Sequence, residues 1–211
     1  MKLFHLLFAS AVVIASASCM PSMKVTADWT NKEALPEKKL SKIFIAALSN
    51  DLDAKRTLES DFEKYALSRG LQVVKSGDLF FPNFDEKNAP DKETVLRKIK
   101  EAGCDGIFSI ASFDNESGNK HKPGDPNYSP MTYSHNAAFW DYYNYHHTSL
   151  YAPGYYSTNK TYYLESNVYD LRSEKLLWSI QSEAYDPTSI KKFSKQYADM
   201  VTKRLNEASS K

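Results

Sequence analysis

The chain has 211 residues, with 27 Lys and Arg against 26 Asp and Glu, a formal net charge of +1 and two cysteines. This near-neutral balance argues against a nucleic-acid partner, which needs a concentrated basic face, and against attraction to anionic lipid by charge alone. Two cysteines are too few for a small secreted domain that depends on disulfide bonds. The length suffices for one domain with its own core.

The N-terminus has the three parts of a bacterial secretory signal. Lys2 precedes an apolar run over residues 3–14, and small residues at 15–18 lead to Cys19. The run is shorter than the roughly 20 residues that cross a bilayer. A buried N-terminal helix, the alternative, would account for the apolar run alone. We therefore predict a signal peptide over residues 1–18.

Two cleavage sites are consistent with this signal. Residues 16–19 resemble a bacterial lipobox, although a serine stands where that motif usually has Leu, and the match predicts lipid attachment at Cys19. Residues 15–17 instead fit the A-x-A site of ordinary signal peptidase, which would release a soluble periplasmic protein after Ala17. Met20 follows the cysteine and no acidic cluster comes after it, so the lipobox predicts an outer-membrane lipoprotein that faces the periplasm.

A tether and a single domain are predicted beyond the signal. Residues 19–40 are mostly polar and predict a lipid-anchored tether, in which the alternating run from Val25 to Trp29 can add an edge strand. Residues 41–211 predict an α/β domain, interrupted by a long insertion at 113–160.

The first half of the domain alternates strands and helices, which implies right-handed crossovers and parallel neighbours. Strands are predicted at 42–48, 71–74 and 106–111. The first helix follows capping residues at 49–51 and ends at a glycine. The second helix follows the N-cap Asp91, after a loop that contains Pro82 and Pro90. The apolar face of the first helix consists of Leu58, Phe62, Tyr65 and Ala66, and Gly70 ends this helix. The apolar face of the second helix consists of Val95, Ile99 and Ala102, and Gly103 ends it.

The second half predicts an antiparallel hairpin and a C-terminal helix. Residues 161–169 and 176–180 alternate in polarity and suit a hairpin with one packed face. The last helix has an apolar stripe from Phe193 to Leu205. The prediction is therefore a mixed sheet, β-α-β-α-β followed by an antiparallel hairpin and a helix. The residues expected on the packed face of the hairpin are Leu164, Val168, Leu176, Trp178 and Ile180.

The insertion at 113–160 is rich in tyrosine and proline. Loops of this length in compact domains are usually functional or mobile. Tyrosine offers a wide contact area with one polar tip, which suits recognition of protein or glycan. The alternative is that the tyrosines cover the domain's own sheet. Replacing residues 118–156 by a short linker is predicted to change stability little. The residues predicted to bind a partner are Tyr142, Tyr143, Tyr145, Tyr151, Tyr155 and Tyr156.

The sequence contains no convincing catalytic or metal constellation. Three histidines lie near Asp141 and Tyr145, but adjacent histidines in a loop point apart and no helical i,i+4 pair is present, so we predict no metal site. These histidines are His135, His146 and His147. Serines lack the Gly-x-Ser-x-Gly elbow, and no glycine-rich phosphate loop occurs. Burial beside phenylalanines could raise the pKa of nearby carboxyls, which are Asp78, Asp85 and Glu86.

Several short segments resemble a family of Gram-negative envelope lipoproteins of unknown function. The shared pieces are Trp29, the strand at 42–48, Glu59 with Gly70, the phrase at 103–106, residues 153–155, the run 164–170 and its partner 175–179. The resemblance implies a fold related to penicillin-binding-protein activators and curli-secretion lipoproteins. It supplies no catalytic residue. Cys104, within the phrase at 103–106, is predicted to be a small buried thiol.

These observations predict a non-catalytic binding or assembly module of the periplasm. Its expected partners are the membrane, through the lipid on Cys19, and a protein of the envelope, with no nucleic acid and no cofactor. The alternatives are a glycan- or peptidoglycan-associated protein that uses the aromatic insertion, and a hydrolase with an unrecognised site.

Overall fold

The computed structural model describes residues 23–36, 38–49, 51–80, 91–113, 138–143, 161–185 and 189–209. These residues form six strands and five helices. The strands are β1 (Met23–Thr30), β2 (Lys42–Leu48), β3 (Gln72–Lys75), β4 (Gly106–Phe113), β5 (Thr161–Asp170) and β6 (Leu176–Tyr185). The helices are α1 (Leu52–Ser68), α2 (Ser76–Phe80), α3 (Lys92–Glu101), α4 (139–143) and α5 (Ile190–Ser209).

All six strands belong to one mixed sheet, in the order β1-β6-β5-β4-β2-β3. β2 pairs in parallel with β3 and with β4. The other neighbours, β4 with β5, β5 with β6 and β6 with β1, are antiparallel. The predicted α/β fold, with a β-α-β-α-β half, an antiparallel hairpin and a C-terminal helix, is confirmed.

The strand directions give the sheet two distinct ends. We call one the Met23 end, where β1 and β5 begin and where β2, β4 and β6 finish. The other is the Thr30 end, where β1 and β5 finish and where β2, β4 and β6 begin. Eight residues of strand at roughly 3.3 Å each separate the two ends by about 26 Å. The bases of the insertion, at Phe113 and Thr161, lie at the Met23 end.

Helices cover both faces of the sheet. On the first face, α1 and α5 pack over a cluster that includes Ile45, Phe108 and Trp178. On the second face, α3 and α4 pack over a cluster that includes Phe44 and Ile107. Alternate residues along a strand belong to the two different clusters, because successive side chains of a strand point to opposite faces. No helix among the described residues is long and apolar enough to cross a bilayer.

The helix ends follow from local chemistry that the sequence showed. The Asp51 carboxylate accepts from the N–H groups of Asp53 and Ala54 at the start of α1, and Asp91 accepts from the Thr94 N–H at the start of α3. These contacts satisfy backbone donors that the helix leaves unpaired. Gly70 and Gly103, each with a φ of 76°, terminate the same two helices, as predicted.

Three details differ from the sequence prediction. Residues 23–30 form a full edge strand, and Asn31 and Ala34 continue to contact the domain, so most of the expected tether is folded. Residues 76–80 form α2, a short helix where the sequence predicted no element. Leu176 belongs to the second cluster and not to the face of Trp178, because the β5–β6 register shifts at this point.

Trp178 lies in the cluster beneath α5, as predicted. Its side chain is 3% exposed and shares this cluster with Phe193 and Tyr197 of α5. We expect Trp178→Ala to lower the free energy of unfolding by about 3–5 kcal/mol, since the truncation loses buried area and leaves a cavity. Urea unfolding measures this effect. Tyr162→Ala on the neighbouring strand, where the side chain is 50% exposed, is the control and should cost much less. Equal effects of the two substitutions would contradict the packing described.

Candidate functional site

A groove of about 910 Å³ lies at the Thr30 end of the sheet. Three segments line it: the loop that follows β1, the turn between α3 and β4, and the turn between β5 and β6. Glu37, within the first of these, lies outside the described residues. The apolar part of the lining consists of Ala34, Leu35, Pro36, Leu40, Cys104 and Leu171.

Asp105 fastens the first two segments together. Its carboxylate accepts from the Ser41 N–H at 2.8 Å, the Ser41 hydroxyl at 2.6 Å and the Lys42 N–H at 3.0 Å. The next residue, Gly106, faces Leu40, and a Cβ at that glycine would lie 2.6 Å from Leu40 Cδ1. A larger residue would therefore require the Leu40 side chain to move. The Gly-Cys-Asp-Gly phrase thus positions one wall of the groove.

Asp170 shapes the third segment. Its carboxylate accepts from the N–H of Ser173 at 2.7 Å and from the hydroxyl of the same residue at 2.6 Å. Glu174 then adopts a positive φ of 57°, which the tight turn requires. The N–H of Leu171 donates to the Asp105 carbonyl at 3.0 Å, so this turn is joined directly to the α3–β4 turn.

The described lining of the groove has more cations than carboxylates. It contains five cationic side chains and three carboxylates. Burial raises the pKa of Asp105, but hydrogen bonds from Ser41 and Lys42 outweigh this effect and hold the pKa below its ordinary value. The cations are Lys38, Lys39, Lys100, Arg172 and Lys175, and the carboxylates are Glu33, Asp105 and Asp170.

Cys104 forms part of the groove wall as a free thiol. Its side chain is buried, at 8% exposure, as predicted. Burial raises the pKa of this thiol to about 11. The thiolate is the nucleophilic form of cysteine, and at neutral pH this thiol is protonated. Cys104 therefore serves as packing.

Glu59 is a buried carboxylate. This residue was named from the sequence only as part of the family resemblance. At 2% exposure it accepts from the Ala47 N–H at 3.1 Å and from the Gly77 N–H at 3.3 Å. The Ser76 hydroxyl donates to the same carboxylate. Burial raises its pKa, while the hydrogen bond from Ser76 and the charge of Lys55 oppose this shift. A raised pKa can mark a catalytic acid, but here both oxygens hold β2, α1 and α2 together.

A second buried carboxylate, Glu165, lies within a polar row on the second face of the sheet. It accepts from Asn167 Nδ2 at 3.0 Å and from Gln181 Nε2 at 3.0 Å. Leu164, Ser166 and Val168 alternate with this row and face α5, where the Ser166 hydroxyl is 2.7 Å from the hydroxyl of Tyr197. The run 164–170, which carried much of the family resemblance, therefore combines core packing with this buried network.

Two of the tyrosines predicted to bind a partner pack against the chain's own sheet. Tyr142 and Tyr143 lie in α4 with exposures of 4% and 8%. The ring of Phe139, in the same helix, is 5.7 Å from that of Tyr169 on β5 and 5.9 Å from that of Tyr143. This is the alternative that the sequence left open. The other four, Tyr145, Tyr151, Tyr155 and Tyr156, lie outside the described residues.

The remaining sequence candidates fall mostly outside the described residues. Cys19 lies there, and so do the three histidines, Asp85 and Glu86. Asp141 is exposed on α4, and Asp78 lies on α2, where it is 3.7 Å from Lys75. Within the described ranges, no group of three or more His, Cys, Asp or Glu side chains could hold a metal ion.

Comparison with known proteins gives only distant likenesses. No family model matches the sequence, and no curated protein matches it. The PelC dodecamer from Paraburkholderia phytofirmans is 11% identical, with a TM-score of 0.41 over 82% of this chain and 90% of that chain. Lipoprotein GNA1162 from Neisseria meningitidis is 12% identical, with a TM-score of 0.40 over 80% and 96%. At these identities the likeness concerns the fold alone.

The raised pKa of Glu59 predicts that the stability of the protein depends on pH. Its folded-state pKa lies above the ordinary value of 4.5, so between these values the folded protein holds a proton that the unfolded chain has lost. The contribution of Glu59 to the free energy of unfolding therefore falls as the pH rises through this window. We expect Glu59→Gln to lose this dependence, so that its stability relative to wild type increases with pH. Urea unfolding from pH 4 to 8 measures it. Glu101→Gln, on the exposed end of α3, is the control and should follow wild type; parallel curves for Glu59→Gln and wild type would contradict the burial of the carboxylate.

The packing of α4 reverses the expectation for the insertion. Replacing residues 118–156 removes the buried Phe139, Tyr142 and Tyr143, so we expect a marked loss of stability. Phe139→Ala alone should cost about 3–5 kcal/mol. Thermal unfolding compares it with Asp141→Ala, an exposed position on the same helix, which should behave like wild type. An unchanged melting temperature for Phe139→Ala would show that α4 does not belong to the core.

Proposed function

We propose that this chain is a lipid-anchored, non-catalytic binding module of the bacterial cell envelope. The lipid is attached to Cys19, and the module faces the periplasm from the outer membrane. The observation that carries the proposal is the position of β1. Only residues 20–22 separate Cys19 from Met23, the first residue of the edge strand.

This short connection fixes how the domain is presented. Four residues of extended chain, from Cys19 to Met23, span at most about 14 Å. The Met23 end of the sheet is therefore held close to the membrane surface. The groove lies at the Thr30 end, about 26 Å further along the strands. A module anchored in this way directs its groove toward the periplasm.

The chemistry of the described residues supports binding more than catalysis. The carboxylates of Glu59 and Glu165 accept hydrogen bonds within the domain, and the raised pKa of Cys104 disfavours the thiolate. None of the three has the arrangement of a nucleophile beside a general base. The groove, by contrast, is formed by three joined segments and has the size of a small-ligand site.

Lipid attachment is tested by paired cysteine substitutions. Wild type and Cys104→Ala should both incorporate labelled palmitate and fractionate with the outer membrane. Cys19→Ala should incorporate no label and appear in the soluble periplasm, because the acyl chains, at roughly 0.8 kcal/mol for each buried CH₂, hold the protein in the bilayer. If wild type takes up no label, the cleavage after Ala17 is the correct reading and the anchor is absent. Fractionation of labelled wild type with the inner membrane would overturn the outer-membrane placement.

A further inference from the structure

We infer that the groove at the Thr30 end binds an anionic ligand that carries at least two phosphate or carboxylate groups beside an apolar portion. This inference names the ligand class of the binding module proposed above. It rests on that proposal only for the periplasmic location of the ligand.

Cationic side chains converge on the groove from all three of its segments. Lys100 comes from the last turn of α3, Arg172 and Lys175 come from the β5–β6 turn, and two further lysines come from the loop after β1. None of the five forms an ion pair with another part of the chain that the structure describes, whereas nearby Lys92 pairs with Glu174 at 3.0 Å. All five are exposed, and without an ion-pair partner among the described residues they are available to a multiply charged anion.

The carboxylates of the groove do not neutralise these cations. Asp105 is engaged by Ser41 and Lys42, and Asp170 is engaged by Ser173, so both serve the backbone that shapes the groove. Glu33 is exposed on the loop. Among the described lining residues, three carboxylates against five cations leave a formal surplus of two positive charges. The ligand should therefore carry about two negative charges for a balanced site.

The size of the groove and its apolar lining residues indicate what the ligand contains besides its anionic groups. A volume of about 910 Å³ accommodates more than a single phosphate. Leu171 and Cys104 are buried in the lining, and Leu35 is 53% exposed at the same groove. The guanidinium of Arg172 can donate two parallel hydrogen bonds to a phosphate or a carboxylate. The site thus suits a ligand with anionic groups on one side and an apolar or sugar-ring surface on the other.

Isothermal titration calorimetry at low salt tests the inference with two probes, pyrophosphate and citrate, on the full mature protein in neutral detergent. The variant is Arg172→Glu combined with Lys175→Glu. The control is Lys191→Glu combined with Lys192→Glu, which makes the same charge change on exposed residues of the first turn of α5, at the Met23 end. Circular dichroism and the melting temperature without probe confirm that each variant is folded.

Wild type and the α5 control should bind at least one probe, and the groove variant should bind it about tenfold more weakly or not at all, as expected when charge-assisted hydrogen bonds are lost. Binding of pyrophosphate alone identifies phosphate as the source, and binding of citrate alone identifies carboxylate. Equal weakening in both variants, or no binding of either probe to wild type, would overturn the inference. The same titration on Cys19→Ala shows whether the groove binds without the lipid. If Cys19→Ala binds the probe while wild type takes up no labelled palmitate, only the anchor is overturned; if wild type is labelled but binds neither probe, only the groove inference is overturned.

Discussion

The antiparallel pairing of β1 with β6, from Met23 opposite Ala184 to Thr30 opposite Trp178, determines the arrangement of the whole molecule. It places Met23, which is separated from Cys19 by three residues, at one end of the sheet. Because β1 runs along the sheet, the loop that follows it lies at the opposite end, where it forms one wall of the groove. Without this pairing, Met23 and the groove would not lie at opposite ends of the sheet.

The short segments that carried the family resemblance coincide with junctions in the structure. Glu59 joins β2 to α1 and α2, and Asp105 joins the N-terminal segment to the start of β4. The run 164–170 contributes Leu164 and Val168 to the core of the first face, and it contains the buried network around Glu165 and the turn around Asp170. Glu59 and Glu165 pair buried groups that would otherwise remain unsatisfied. Asp105 and Asp170 hold the backbone of two turns at or near the surface. The contacts of these residues therefore explain how the fold is held together.

The sequence predicted most of the fold, because the elements are long and their apolar spacing is regular. The caps Asp51 and Asp91 and the stops Gly70 and Gly103 depend on neighbouring residues only, so they too could be read locally. The strand that pairs with β1 could not be predicted from neighbouring residues, since strand order depends on contacts about 150 residues apart along the chain. The groove was missed for the same reason: its cations come from three separate segments and form no motif. Tyr142 was predicted to bind a partner, whereas its side chain is buried against the sheet. Composition shows that an aromatic residue is present but not which way it faces.

Hydrogen exchange of β1 tests the central claim of this account, that the chain is part of the folded domain from Met23 onward. The amides of β1 that donate to β6 should be protected to a degree comparable with those of β4, because both strands belong to the same sheet. Mass spectrometry on peptides that cover 23–30 and 106–113 measures both sets in one experiment. Exchange of residues 23–30 at the rate of an unstructured chain, with 106–113 protected, would contradict the account. Those residues would then form a flexible tether, and neither the Met23 end of the sheet nor the groove at the Thr30 end would have the arrangement described.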